Sequence, residues 1–152
     1  MSTANEDIEQ ILHREGVTLA SVKARAIAFI VDELLLSFLL IIAMWDAFGS
    51  VTNSEELILL TNHYVFEYIV IKIAYQTFFV MQYGATLGKM LVHIRIIELD
   101  TMDNPSFISS LNRAIFRIIS EMFFYLGFIW GIMDPMKQTW HDKTARTLVV
   151  NA

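Results

Sequence analysis

The sequence predicts an all-α integral membrane protein with three transmembrane helices, the third either straight, broken or re-entrant. Two observations carry the prediction. Of the 152 residues, 55% are hydrophobic and 12% aromatic, with two prolines and six glycines, a composition outside the usual range for a soluble domain of this size. Most of the apolar residues fall in three long runs rather than in short alternating segments, and each run is near the roughly 20 residues that cross hydrocarbon as a helix. The length fits one bundle, divided into an N-terminal amphipathic segment (1–18) and a membrane domain (19–152).

The net charge of -5, with eleven Lys and Arg that never form a dense patch, gives nucleic-acid binding no electrostatic support. The absence of cysteine excludes disulfides, thiolate metal sites and cysteine nucleophiles. The first apolar run starts too far from the N-terminus for a secretory signal and has no small-residue cleavage site after it, so it reads as a retained span.

The elements follow in order. "NEDIEQILHREG" is expected to form a short helix capped by Asn5, with acids in its first turn, a stripe of Ile8, Ile11 and Leu12, and Gly16 as its stop. It is placed on the membrane surface, with a frayed tail as the alternative. The first span covers residues 26–45 and ends at Trp45, an interface residue. The loop "DAFGSVTNSEELILLTNH" carries acids and no Lys or Arg. The second span covers 64–83, with a Tyr at each end.

"VHIRIIEL" alternates well enough for a short strand closed by turn-forming residues. The third apolar stretch starts amphipathically at Arg113 and Arg117 and turns fully apolar after Glu121, with its span at 114–133. Thr147 to Val150 forms a second candidate strand, able to pair with the first beneath the membrane as a two-stranded cytoplasmic sheet.

Lys23 and Arg25 precede the first span, and Lys89, Arg95 and Arg113 follow the second. That bias puts the N-terminus and the middle loop in the cytoplasm of a cell-membrane protein. A single third crossing then leaves Lys137, Lys143 and Arg146 on the wrong side. Either the third stretch is broken near Gly127 or re-entrant, or the tail crosses despite its charges; one crossing is favoured, because 20 apolar residues suffice for one and not for two.

Ionisable residues within spans cost roughly 2.5–3.5 kcal/mol each at the helix centre, so they are expected to face one another or a polar path. At about 1.5 Å per residue, Asp32, Glu33, Gln76, Arg117 and Glu121 fall at similar depth, with Lys72 within reach. In this polar layer three carboxylates face two bases. The excess acid either takes up a proton, binds a cation, or belongs to buried pairs that fix helix register.

Other motifs are weak. "GATLGKM" lacks the spacing and the hydroxyl residue of a phosphate loop. His141 and Asp142 in "WHDK" lack further metal ligands, while His13, His63 and His93 lie on different segments. No serine sits on a nucleophile elbow. No enzyme activity, cofactor or metal is expected.

Several of these features occur together in a recognisable order: Arg25 entering the first span, Asp32 seven residues later, the turn Gly84, Thr86, Gly88, Lys89 before a strand, an Arg-bearing third segment, and a terminal "HDKTARTLVV". From about Leu19 to Val150 the chain resembles the RDD family of small bacterial membrane proteins. The family's one Arg and two Asp fall on Arg25, Asp32 and Asp142, with Asp134 as the alternative second aspartate. Where the family usually has Gly before the Thr of its last motif, this chain has Arg146.

The resemblance implies a transport role, and for some relatives exchange of monovalent cations for protons. Asp32 would then be the ion-carrying carboxylate, Arg25 its mouth-side partner, and Lys72 and Glu121 the neighbours that tune it. Three helices enclose little space, so a transporter would be a homo-oligomer in the bilayer. The alternative is a non-catalytic scaffold or accessory subunit whose intramembrane charges fix helix packing.

Overall fold

The computed structural model describes residues 3–152, with side-chain environments from Glu6 onward. The elements are α1 (Thr3–Glu15), α2 (Val22–Ala43), α3 (Trp45–Gly49), α4 (Ser54–Tyr83), α5 (Leu87–Leu91), β1 (Ile94–Glu98), α6 (Phe107–Met122), α7 (Leu126–Met133), α8 (Trp140–Thr144) and β2 (Thr147–Asn151).

The two long helices are built inside out relative to a soluble protein. α2 buries only Ala28, Asp32 and Leu36, one stripe at four-residue spacing, and α4 buries Lys72, Gln76, Thr77 and Val80. Their large apolar residues, among them Ile30, Leu34, Phe38, Phe66 and Ile71, are exposed. In water such a surface would be an aggregation face; in hydrocarbon it is the solvated one, and polar groups turn inward. At about 1.5 Å per residue α2 extends about 33 Å, enough to cross. Both α2 and α4 are long and apolar enough to span a membrane.

α2 starts on a Ser21 cap, whose side chain accepts from the Ala24 N–H at 3.1 Å. α4 starts ten residues before the expected boundary at Tyr64. Asn53 accepts from the Glu56 N–H at 2.9 Å while the Glu56 carboxylate accepts from the Thr52 N–H at 2.9 Å, so reciprocal capping makes the "SEELILLTNH" stretch helical rather than loop. α4 ends at Gly84, in the left-handed region at φ 66°, with its carbonyl accepting from the Ile96 N–H.

The third apolar stretch is not one straight helix. α6 and α7 meet at a 104° bend. The break falls at Phe123–Tyr125, just before the Gly127 expected from sequence, and Phe124 and Tyr125 both take positive φ (53° and 61°). Gly127 serves contact instead, with α7 lying so close to Ser120 that a Cβ there would collide with its hydroxyl.

β1 and β2 pair antiparallel, Ile96 facing Val149, and Leu19 bridges to Val150 from the segment before α2. One small sheet therefore gathers the start of α2, the end of α4 and the C-terminal strand. Ile94, Ile96 and Val149 pack with Ala20, Ala28 and Val80. On another side Ile97, Leu148 and Val150 pack with Leu12 of α1, with Ile8 alongside. Leu12 and Ile8 of the α1 stripe thus cover one side of the sheet, and the helix is formed from Thr3, ahead of the expected Asn5 cap.

Candidate functional site

Asp32 is completely buried on the inward stripe of α2. The turn after α4 closes over it: Thr86 Oγ1 donates to Oδ2 at 2.6 Å, and the Gly88 N–H donates to Oδ1 at 2.8 Å. Tyr75 Oη adds a third donor at 2.8 Å and itself accepts from the Leu87 N–H. A Cβ at Gly88 would lie 2.8 Å from Asp32 Oδ1 and closer still to the Ala28 carbonyl. The sequence thus needs glycine here because α2 and α5 meet backbone to backbone across the carboxylate. Lys89, on the same short helix, is buried with its ammonium 3.4 Å from Thr86 Oγ1. Burial first, and the Arg117 charge second, push it down to about 7 against a smaller opposing pull from Asp32.

Asp142 is the residue expected first, ahead of Asp134, for the second aspartate of the signature. It sits in the first turn of α8, where its Oδ2 accepts from the Thr139 N–H (3.0 Å) and Oγ1 (2.7 Å). Arg113 of α6 donates to its Oδ1, and Arg25 of α2 stands 3.7 Å from Oδ2. Burial alone would raise this carboxyl, but the Arg113 and Arg25 guanidiniums, with the Thr139 hydrogen bond, outweigh it and hold it well below the usual carboxylate range. Arg25 also donates to the Val149 carbonyl at 3.0 Å and to the Lys137 carbonyl, so it ties α2 to the tail rather than to Asp32. Asp134 plays a local part: its carboxylate accepts from the Met136 and Gln138 N–H groups and pairs with Lys143.

The expected polar layer exists but divides. Glu33, Lys72, Arg117 and Glu121 close a ring of ion pairs. Lys72 Nζ lies 2.7 Å from Glu33 and 2.6 Å from Glu121, and Arg117 reaches the same two acids at 3.1 and 3.2 Å. Two acids and two bases balance, leaving Asp32 apart with neutral donors. Gln76 stands beside the ring without a partner for its Nε2.

Two hollows flank this quartet. Away from the sheet, a crevice of about 240 Å³ opens between α2 and α4, and its wall includes Tyr68, whose hydroxyl donates to Glu33 at 3.3 Å. Toward the sheet, a cavity of about 50 Å³ is walled by Arg25, Gln76, Lys89, Arg113, Arg117 and His141 among others. Arg117 belongs both to the quartet and to this cavity.

Sequence reasoning passed over three residues of this core. Arg113 was visible as the partner of Arg117 one helical turn away, the same face carrying both. His141 was set aside as a metal ligand; burial instead keeps it neutral, its ordinary value lowered against the pull of Asp142. Tyr75 gave no signal, since a tyrosine among apolar residues reads equally as an interface anchor.

Comparison with known proteins agrees with the resemblance. The RDD family matches residues 19–146. An uncharacterized protein of Rickettsia prowazekii (strain Madrid E) is 29% identical over 69 residues, covering 45% of this chain and 38% of that protein. The aligned part thus spans well under half of that relative. No solved structure matches the chain. With most of its length matched, the chain belongs to the RDD family, a family of membrane proteins, and its long apolar helices accord with that.

Proposed function

We propose that the protein is a small transporter of the cytoplasmic membrane that exchanges monovalent cations for protons, with Glu33 as the ion-handling carboxylate. The observation that supports this most is the position of the quartet, an ion-paired ring between two hollows that lie toward opposite ends of α2 and α4. Its acids are also the less enclosed ones: the Glu33 side chain is 25% exposed, whereas Asp32 is shut in by three donors. A carboxylate that must release a proton or cation needs access to water at some stage, which favours Glu33 over Asp32.

In the same reading α2 and α4 cross and α6–α7 is re-entrant, so both termini are cytoplasmic. Lys137, Lys143 and Arg146 then lie on the side where the positive-inside rule wants them. Support comes from the pairing of β2 with β1 and Leu19. A complete pathway calls for a second copy across the exposed faces of α2 or α4.

The test is reconstitution into liposomes with an internal pH dye. Addition of sodium or potassium should move protons in wild type, and Glu33→Gln should abolish the movement. A dye signal indistinguishable from empty liposomes with both cations defeats the proposal. The second reading, a scaffold or accessory subunit, is favoured by the full engagement of Asp32 and Asp142 in helix-joining contacts. It gains the ground if passive liposomes coincide with recovery of a stable hetero-partner by crosslinking.

A further inference from the structure

We propose that the cavity on the sheet side binds the phosphate group of an anionic phospholipid. This does not depend on the transport reading. The cavity wall contains four basic side chains, Arg25, Lys89, Arg113 and Arg117, and one acid, Asp142. Among the described residues, Lys89 has no carboxylate within ion-pair distance; its one polar contact is Thr86 Oγ1. Gln76, nine-tenths buried, holds its Nε2 donor without a partner, and Arg25 Nε is likewise unmatched. Unmatched buried donors in a cation-rich wall are what a bound oxyanion would satisfy.

His141 adds a detail of ligand chemistry. Thr139 Oγ1 donates to Asp142, so it accepts from the His141 Nε2–H at 2.9 Å. In the neutral ring Nδ1 is then a bare acceptor, and it too has no partner. A phosphate group accompanied by a hydroxyl, on phosphorus or on the headgroup, fits donors and acceptor together.

The volume, about 50 Å³, exceeds the roughly 10–15 Å³ that one water needs and suits one small polar group. A lipid is the source because an apolar groove of about 180 Å³ between α2 and α7 adjoins the cavity. That groove shares Arg25, Phe128 and Thr139 with the cavity and is otherwise lined by residues such as Val22, Ile129 and Ile132. Ile129 and Ile132 lie on the exposed apolar surface, where an acyl chain would lie. Basic pockets between membrane helices on the cytoplasmic side recognise headgroups in this way.

The test uses the full chain, delipidated in neutral detergent, with binding followed by native mass spectrometry and thermal melting. Phosphatidylglycerol should bind and raise the melting midpoint, while phosphatidylcholine and inorganic phosphate should not. Gln76→Leu, which changes no charge, and Lys89→Met should each weaken phosphatidylglycerol binding about tenfold, the scale of one lost hydrogen bond to a charged group. Both variants should keep their melting behaviour without lipid or improve on it. Because the chain carries a net charge of -5, general attraction to anionic lipid does not mimic this result. Equal binding of the two lipids, or undiminished phosphatidylglycerol binding in both variants, overturns the proposal. A full response to inorganic phosphate alone overturns the lipid assignment.

Discussion

Asp32 and Arg146 illustrate how single residues hold this fold. Asp32 accepts from Thr86, Gly88 and Tyr75, so the turn after α4 and the middle of α2 are one unit. Thr86→Val removes a donor from the buried Asp32 side chain and should lower stability by about 1–3 kcal/mol, measured by denaturation in detergent. Arg146 adopts φ 52°, a left-handed conformation that costs a non-glycine residue roughly 1–2 kcal/mol. The position where the resemblance set glycine against this chain is thus one that glycine suits. Arg146→Gly should raise stability by up to about 1 kcal/mol after its greater unfolded-state freedom is counted. Lys89, pushed down to about 7, is neutral in the folded chain where the unfolded chain still binds its proton, up to about 10.4. Unfolding takes up a proton across that window, so stability of the delipidated protein rises with pH from about 7 to 10. Lys89→Met should flatten that rise. That Asp32 would be inward-facing was legible from the cost of a carboxylate in hydrocarbon. Its bonding to neutral donors was not, since two of them come from a turn over fifty residues away and the third, Tyr75, from another helix.

At the scale of elements, long runs were legible and their interruptions were not. α2 and the later part of α4 follow directly from apolar length. The ten extra residues of α4 depend on the Asn53–Glu56 caps, a signal present in "TNSEE" but overshadowed by the search for apolar span. The break in the third stretch rests on positive φ at Phe124 and Tyr125, residues whose identity predicts nothing of the kind, whereas Gly127 drew attention and lies just past it. The strands were readable from alternation, and they pair with each other; in the proposed topology that pairing answers the charge conflict of the tail. The chain has no cysteine, so single introduced cysteines report sidedness cleanly. Asp103→Cys and Asn151→Cys should label from the same side of the membrane and Ser50→Cys from the other; opposite labelling of positions 103 and 151 would mean that the third stretch crosses.

For the whole molecule, lipid-facing apolar surfaces enclose a polar interior that runs from the quartet to the sheet, with a mostly apolar crevice between α2 and α4 on the quartet's other side. A buried ion pair loses several kcal/mol when one member is removed but is often near neutral when both are. Glu33→Gln combined with Lys72→Met therefore separates function from folding better than either change alone. The decisive measurement is cation-driven proton movement in liposomes by this double variant, beside wild type at matched folded protein. The transport account predicts movement in wild type and none in the double variant, with both proteins folded. Equal proton movement by the two would contradict it.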